Sequence, residues 1–96
     1  MKPLRISRPA SAEFADAVRW YEQKRIGLGG DVFDAVTHAI EVVRNNPEIG
    51  SLAGRARSWL LTRFPYRLIY RVRDEDIYIV AIAHTSRRPG YWKHRQ

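Results

Sequence analysis

The stretch 64-FPYRLIYRVRDEDIYIVAIAH-84 decides the fold of this chain. It contains two runs rich in aromatic and β-branched residues, 66–73 and 77–83, separated by an acidic Asp-Glu-Asp turn. Residues of these types favour strands, and so short a connection joins only antiparallel strands. A similar run at 58–64 precedes them. The sequence therefore predicts an antiparallel meander of three strands.

The middle strand is predicted to have two chemically different faces, because side chains alternate along a strand. One face is apolar: Tyr66, Leu68, Tyr70 and Val72. The other is mostly basic: Arg67, Ile69, Arg71 and Arg73. The last strand, 77–83, is apolar on both faces, which is typical of a central strand covered by helices on at least one face.

Two helices are predicted upstream of the meander. After a short strand at 4–6, apolar residues recur at steps of three and four from about residue 9 to 26, and again from 32 to 43. Three glycines separate the two runs, and Asn45-Asn46-Pro47 ends the second. We expect an antiparallel helical hairpin. Its aromatic residues are expected in the core: Phe14, Trp20, Tyr21 and Phe33. The charged residues of the first helix are expected on other faces: Glu13, Asp16, Arg19 and Glu22.

Residues 47–56 contain turn formers without periodicity and are predicted to be a loop. The element order is therefore β-α-α-β-β-β. This order predicts an α+β fold in which a helical hairpin packs on a small, mostly antiparallel sheet. The chain has 96 residues, which suits a single domain, 1–96.

The composition excludes several classes of protein and site. The chain has no cysteine, which removes disulfides, thiolate metal sites and cysteine nucleophiles. No His and Asp spacing indicates a metal, and the glycine turn lacks the context of a phosphate loop, so no metal or cofactor is predicted. No apolar run approaches the roughly 18 residues of a membrane span, and we expect a cytoplasmic protein without membrane contact.

The charge is unevenly distributed. Residues 1–54 carry as many acidic as basic side chains, whereas residues 55–96 contain ten Lys or Arg against three Asp or Glu. The whole net charge of +7 therefore belongs to the second part. Nine of those ten cations are arginines, which favour bidentate contacts to phosphate or carboxylate. The pattern indicates an anionic partner.

The candidate binding residues are the arginines and aromatic residues of the strands and the C-terminal segment. They are Arg57, Trp59, Arg63, Arg67, Arg71, Arg73, Arg87, Arg88, Tyr91 and Trp92. Two plainer interpretations stay open. Arginines also keep an exposed sheet face soluble, and terminal aromatic residues often pin a tail onto the core. His84 is a candidate general acid or base, although a histidine at a strand end usually hydrogen-bonds locally.

Several motifs resemble the RelE/ParE toxin superfamily. They are Trp20-Tyr21-Glu22 in the first helix, Gly27-Leu28-Gly29 at the turn, Asn46-Pro47-Glu48, Phe64-Pro65-Tyr66-Arg67, and Arg87-Arg88-Pro89-Gly90-Tyr91-Trp92. The resemblance spans most of the chain. It implies a small bacterial toxin of a type II toxin–antitoxin system, neutralised by a co-expressed antitoxin whose C-terminal segment wraps around it. We expect that segment, from a ParD-like or another antitoxin, to be acidic and to form a hetero-oligomer with this chain.

The superfamily has two branches with different targets. In the RelE-like branch, ribosome-dependent mRNA cleavage uses sheet lysines and arginines and a C-terminal tyrosine, and Arg67, Arg87 and Tyr91 match such positions. This chain departs from that branch because residues 58–60 contain no lysine. It resembles the ParE-like branch more closely, which implies inhibition of DNA gyrase without a defined catalytic set. The alternatives are a RelE-like ribosome-dependent mRNA endoribonuclease, and a member without toxicity or a plain nucleic-acid binder.

Overall fold

The computed structural model describes residues 1–95 and contains two helices on one side of a five-stranded mixed sheet. The elements in chain order are β1 (Leu4–Ile6), α1 (Arg8–Lys24), α2 (Leu28–Asn45), β2 (Ser51–Ala53), β3 (Ala56–Leu60), β4 (Tyr66–Val72), β5 (Ile77–His84) and a 3-10 turn at Lys93–Arg95. The predicted α+β class and the helical hairpin are confirmed.

The strands lie in the order β1-β5-β4-β3-β2. β1 pairs with β5 in parallel, and the other neighbours are antiparallel. β5 therefore has a neighbour on each side, as its apolar sequence predicted. β1 pairs only with residues 77–79, so the rest of that edge of β5 has no neighbouring strand.

The prediction for the first part of the meander was wrong in two respects. β3 starts and ends earlier than the predicted 58–64, and the predicted loop contains β2. β2 has only three residues and is formed by its pairing with β3 across a turn, at which Gly54 has φ of +63°. Tertiary pairing of this kind leaves no periodic signal in the sequence.

Hydrogen bonds at the N-terminal ends of both helices fix where they begin. The Ser7 hydroxyl accepts from the Ala10 N–H at 3.1 Å and caps α1. Gly27 precedes α2 with φ of +91°, and the Glu22 carboxylate accepts from the Gly27 and Gly29 N–H groups. Glu22 was predicted only to lie off the apolar face of α1. Its negative charge also stabilises the N-terminal end of α2, where the helix dipole is positive. Neither helix within residues 1–95 has the length and hydropathy needed to cross a membrane.

The main core lies between the helices and the sheet. Its fully buried residues include Val32, Val36, Leu68, Tyr70 and Ile79. The predicted burial of two aromatic residues was wrong, because Trp20 is 53% exposed and Phe33 is 51% exposed. The buried stripe of α1 runs through Ala10 and Ala17, with Phe14, Val18 and Tyr21 packed against the core. This stripe leaves Trp20 facing outward.

A second apolar cluster lies on the sheet face opposite the helices. It contains Ile69, Val80, Ala81 and Trp92. The register between β4 and β5 skips Val80, since Ile69 pairs with Ala81 and Tyr70 pairs with Ile79. Such a bulge places two consecutive residues on one face. The face predicted to be open and basic is therefore partly covered by the C-terminal segment.

We expect Gly29→Ala to destabilise the helical hairpin. A Cβ at Gly29 would lie 2.7 Å from the backbone oxygen of Val18 and 2.9 Å from a Glu22 carboxylate oxygen. The backbone cannot yield as a flexible side chain does, so we expect a loss of about 1–3 kcal/mol in the free energy of unfolding. Denaturant unfolding followed by circular dichroism measures this loss.

Gly30→Ala is the matched control, because a Cβ there meets nothing within 4 Å. Alanine favours helix over glycine, so this variant is expected to be neutral or more stable by up to about 1 kcal/mol. Equal stabilities for the two variants would contradict the close packing of the hairpin at Gly29.

Candidate functional site

A cleft of about 350 Å³ lies between the sheet and the C-terminal residues 85–95, and we call it the tail cleft. Residues from β2, β3, β4 and the end of β5 form its sheet side, and residues 87–93 form the other side. Its cationic side chains are Arg67, Arg87, Arg88 and Lys93, and the residues lining it include no Asp or Glu. The cleft therefore concentrates positive charge, which favours an anionic ligand.

The structure brings five of the ten predicted binding residues to this cleft. They are Arg67, Arg87, Arg88, Tyr91 and Trp92. Arg67 donates to the Ser58 hydroxyl at 3.3 Å, which fixes its guanidinium against the neighbouring strand. Trp92 is only 6% exposed and packs in the second apolar cluster. Ser58 and Lys93 also line the cleft, although the sequence analysis did not select them.

Three other predicted arginines bind protein groups outside the residues that line the cleft. Arg57 donates to the backbone oxygens of Glu48 and Gly50, and Arg63 pairs with Asp31 at 3.2 Å. Arg73 donates two hydrogen bonds to Asp76 and thereby holds the pKa of that carboxyl below its usual value.

The two remaining predicted residues, Trp59 and Arg71, also lie outside the cleft lining. Trp59 packs against the main core, and Arg71 lies half-buried on β4. The predicted patch of ten residues is therefore divided. Half of it forms a cleft and the other half stabilises the fold or lies elsewhere on the sheet.

The C-terminal residues are held in place by Glu13 of α1. Its carboxylate accepts from the Tyr91 hydroxyl at 2.6 Å, from the Arg95 guanidinium at 3.0 Å and from the Ile82 N–H at 3.0 Å. The Glu13 side chain is only 16% exposed. The prediction that Glu13 faces away from the core was wrong. Its position between Ala10 and Ala17 on the buried stripe was the available signal, since these three residues share one helix face.

Tyr91 is enclosed by charged groups. The Arg87 and Arg95 guanidinium carbons lie 3.8 Å and 5.0 Å from its ring centroid, which are cation–π distances. Burial and the hydrogen bond to Glu13 raise the pKa of Tyr91 to about 12. The phenol is therefore protonated near neutral pH and donates to Glu13. This arrangement pins the tail and orients Arg87 at the cleft.

His84 lies at the end of β5 and lines the tail cleft. Its Nδ1 accepts from the Ser86 N–H at 3.0 Å, and its ring packs edge-on against Tyr66 with 5.1 Å between centroids. Local hydrogen bonding of this kind matches the plainer of the two interpretations of His84. Within residues 1–95, no group of three or more His, Asp or Glu side chains is placed to hold a metal ion.

A family comparison covers nearly the whole chain. The family described as the ParE toxin of the type II toxin–antitoxin system parDE matches residues 4–89. The match includes both helices and all five strands. No curated protein matches the chain in sequence.

Solved structures with the same fold include chains from two toxin–antitoxin systems. The chain is similar to one from the chromosomal ParDE system of P. aeruginosa, with a TM-score of 0.66, 22% identity, and coverage of 90% of this chain and 98% of that chain. It is also similar to a chain of the intact E. coli RelBE toxin–antitoxin complex, with a TM-score of 0.68 and 22% identity. That match covers 91% of this chain and 100% of the other chain. The match to the isolated E. coli RelE toxin has a TM-score of 0.67 and 20% identity, and it covers 98% of this chain and 95% of that toxin. At these identities the likeness concerns the fold.

We expect Tyr91 to titrate well above the ordinary tyrosine value of about 10. The raised pKa of about 12 means that the protonated phenol stabilises the folded state. An unfolded tyrosine titrates near 10, so this stabilisation is complete below about pH 10 and is lost as the pH rises toward 12. Tyrosinate absorbance of the wild type, with Tyr91→Phe to identify the signal, measures the titration.

Glu13→Gln is expected to bring the Tyr91 pKa back toward its ordinary value, because the carboxylate that accepts the phenol proton is lost. Glu22→Gln is the matched control, since Glu22 lies on the same helix and contacts the start of α2 instead. A wild-type Tyr91 that titrates near the ordinary tyrosine value of about 10 would contradict the anchoring role of Glu13.

Proposed function

The chain belongs to the ParE toxin family of type II toxin–antitoxin systems, and from this membership we propose that it is a toxin that inhibits DNA gyrase and is neutralised by a cognate antitoxin. The toxin binds its target and performs no chemical step on it. It acts in the cytoplasm, where gyrase works on DNA.

The tail cleft supports binding better than catalysis, and this is the observation that carries the proposal. Its side chains supply several guanidinium groups, which bind anions but transfer protons poorly at their usual pKa. Tyr91, the one phenol at the cleft, donates its proton to Glu13. Nδ1 of His84 is occupied by the Ser86 N–H. The arginines and Tyr91 of the cleft are therefore better suited to binding an anion than to transferring a proton.

We propose that the acidic C-terminal segment of an antitoxin binds the tail cleft. Both a ParDE system and a RelBE complex are among the structures with this fold. Carboxylates of the segment would pair with Arg67, Arg88 and Lys93, which no carboxylate of the cleft lining neutralises. A disordered segment that folds on binding would bury a large area despite the small size of this domain. The antitoxin is ParD-like or of another family.

A second candidate function is RelE-like cleavage of mRNA on the ribosome. One observation favours it: Arg67, Arg87 and Tyr91, which match the RelE-like catalytic positions, all line the same cleft. Arginine at such a site stabilises the negative charge of the transition state. The candidate then requires Tyr91 to leave Glu13 when mRNA binds.

Purified toxin is expected to inhibit supercoiling by purified gyrase and to stabilise the cleaved DNA complex, with relief by the antitoxin. The assay uses relaxed plasmid and gyrase at equal concentrations with increasing toxin. Normal supercoiling in the presence of excess toxin that still arrests growth would overturn the gyrase proposal.

A parallel assay on translating ribosomes separates the second candidate. Toxin-dependent cuts in mRNA at the ribosomal A site, lost in Arg67→Ala but kept in Arg63→Ala, would favour the nuclease. Arg63 is the matched control because it pairs with Asp31, outside the cleft lining. Intact mRNA together with inhibited gyrase is the expected result.

A further inference from the structure

A second cavity of about 310 Å³ adjoins the tail cleft on the helix side, and we call it the helix-side pocket. It is lined chiefly by apolar and aromatic surface from Ala17, Tyr21, Tyr66 and Ile82. Burial raises the pKa of Tyr66, in keeping with an environment poor in water. The pocket therefore suits an apolar side chain.

Trp20 stands at this pocket with more than half of its surface exposed. Its ring packs edge-on against Tyr21 with 4.9 Å between centroids, and the Lys24 ammonium lies 4.5 Å from its centroid. The indole is thus held in position without being buried. Rigid exposed aromatic residues beside a pocket are enriched among the residues that dominate binding energy at protein interfaces.

The helix-side pocket and the tail cleft meet at the end of β5, where His84 and Arg87 line both, and we call the two cavities together the groove. Arg87 is fixed there by its contact with the Tyr91 ring. One end of the groove is apolar and the other end is cationic. A ligand that fills the whole groove must carry both kinds of chemistry.

We propose that this groove binds an acidic peptide segment through one large apolar side chain, which enters the helix-side pocket while the carboxylates bind the tail cleft. The inference rests on the proposed antitoxin partner and defines the chemistry of its segment. The segment contains a leucine or an aromatic residue, separated by a short spacer from a cluster of Asp or Glu.

The charges at the apolar end exclude other occupants. Glu13 and Asp16 line the pocket, so it lacks the excess of cations that the tail cleft offers to a nucleic-acid backbone. A basic side chain finds little free acceptor there, since Glu13 already accepts from Tyr91 and Arg95 and Asp16 pairs with Arg19. A neutral apolar group is the remaining choice.

Synthetic peptides test this chemistry without a known antitoxin. The probes join three glutamates through glycine spacers of graded length to leucine or to alanine, and a third set replaces the glutamates with lysines. Isothermal titration or fluorescence anisotropy gives the dissociation constants. We expect the leucine peptide with the best spacer to bind roughly tenfold more tightly than its alanine partner, as for a buried interface residue. The lysine peptides are expected not to bind.

Trp20→Ala is expected to erase the difference between the leucine and alanine peptides. Phe33→Ala is the matched control, because Phe33 is equally exposed but stacks on Phe14 and does not line the groove. It is expected to keep the difference. Circular dichroism of both variants checks that they fold.

Salt separates the two ends of the groove. Raising the ionic strength is expected to weaken the leucine and alanine peptides by the same factor, because the charged contacts are common to both. Arg88→Ala is expected to reduce this salt dependence while the leucine preference persists. Equal binding of leucine and alanine peptides at every spacer length, or a preference unchanged in Trp20→Ala, would overturn the inference.

The peptide assay and the gyrase assay test separate claims, so one claim can be wrong while the other stands. If the toxin prefers the leucine peptide but does not inhibit gyrase, the groove still binds an acidic peptide with an apolar side chain, and gyrase is not the target. If the toxin inhibits gyrase but binds the leucine and alanine peptides equally, the toxin proposal stands and the proposed role of the groove is wrong. A single-stranded oligonucleotide that binds more tightly than the peptides and ignores Trp20→Ala would assign the groove to nucleic acid and contradict the proposal.

Discussion

One carboxylate, that of Glu13, joins three parts of the chain that are distant in sequence. It binds α1 to the backbone of β5 and to Tyr91 and Arg95 of the C-terminal segment. β1 is too short to cover this part of β5, so the strand edge needs other partners for its backbone groups. The Ser7 hydroxyl and Arg95 both donate to the Val80 oxygen, and Glu13 accepts from Ile82. The route of the tail, and with it one wall of the cleft, follows from this edge.

The few acidic side chains determine where the positive charge remains available. Asp31, Asp76 and Glu13 each bind arginines, and these pairs join the β3–β4 connection to α2, hold the β4–β5 turn and hold the tail. Arg67, Arg88 and Lys93 of the tail cleft have no such carboxylate partner among residues 1–95, whereas Arg87 lies 4.0 Å from Glu13. Part of the net charge of +7 is thus gathered at one concave site, while Arg63, Arg73 and Arg95 stabilise the fold. A count of arginines by sequence position does not separate these two uses.

Regular patterns were predictable, and features set by distant contacts were not. The helices and β5 carry their own periodicity or composition, so their predicted positions agree well with the structure. β2 exists because β3 pairs with it, and its three residues show no pattern. Trp20 was predicted to be buried but is largely exposed, and Glu13 was predicted to face away from the core but is mostly buried. The buried stripe of α1 is narrow, and the partners that hold the Glu13 carboxylate on it lie far away in sequence, in β5 and in the tail. Tyr91 lines the tail cleft, but the partner of its hydroxyl lies 78 residues away in sequence.

The parallel pairing of β1 with β5 affects the order in which parts of the protein can fold. Its two strands are separated by most of the chain, and β5 becomes central only when β1 has joined it. Contacts between such distant segments form slowly, and a nascent chain emerges from its N-terminal end. On the ribosome, β1 and α1 must wait for β5 and for the tail that Glu13 holds. The cleft is complete only when residues 87–93 are in place, so an interrupted translation product that lacks the tail has no complete cleft.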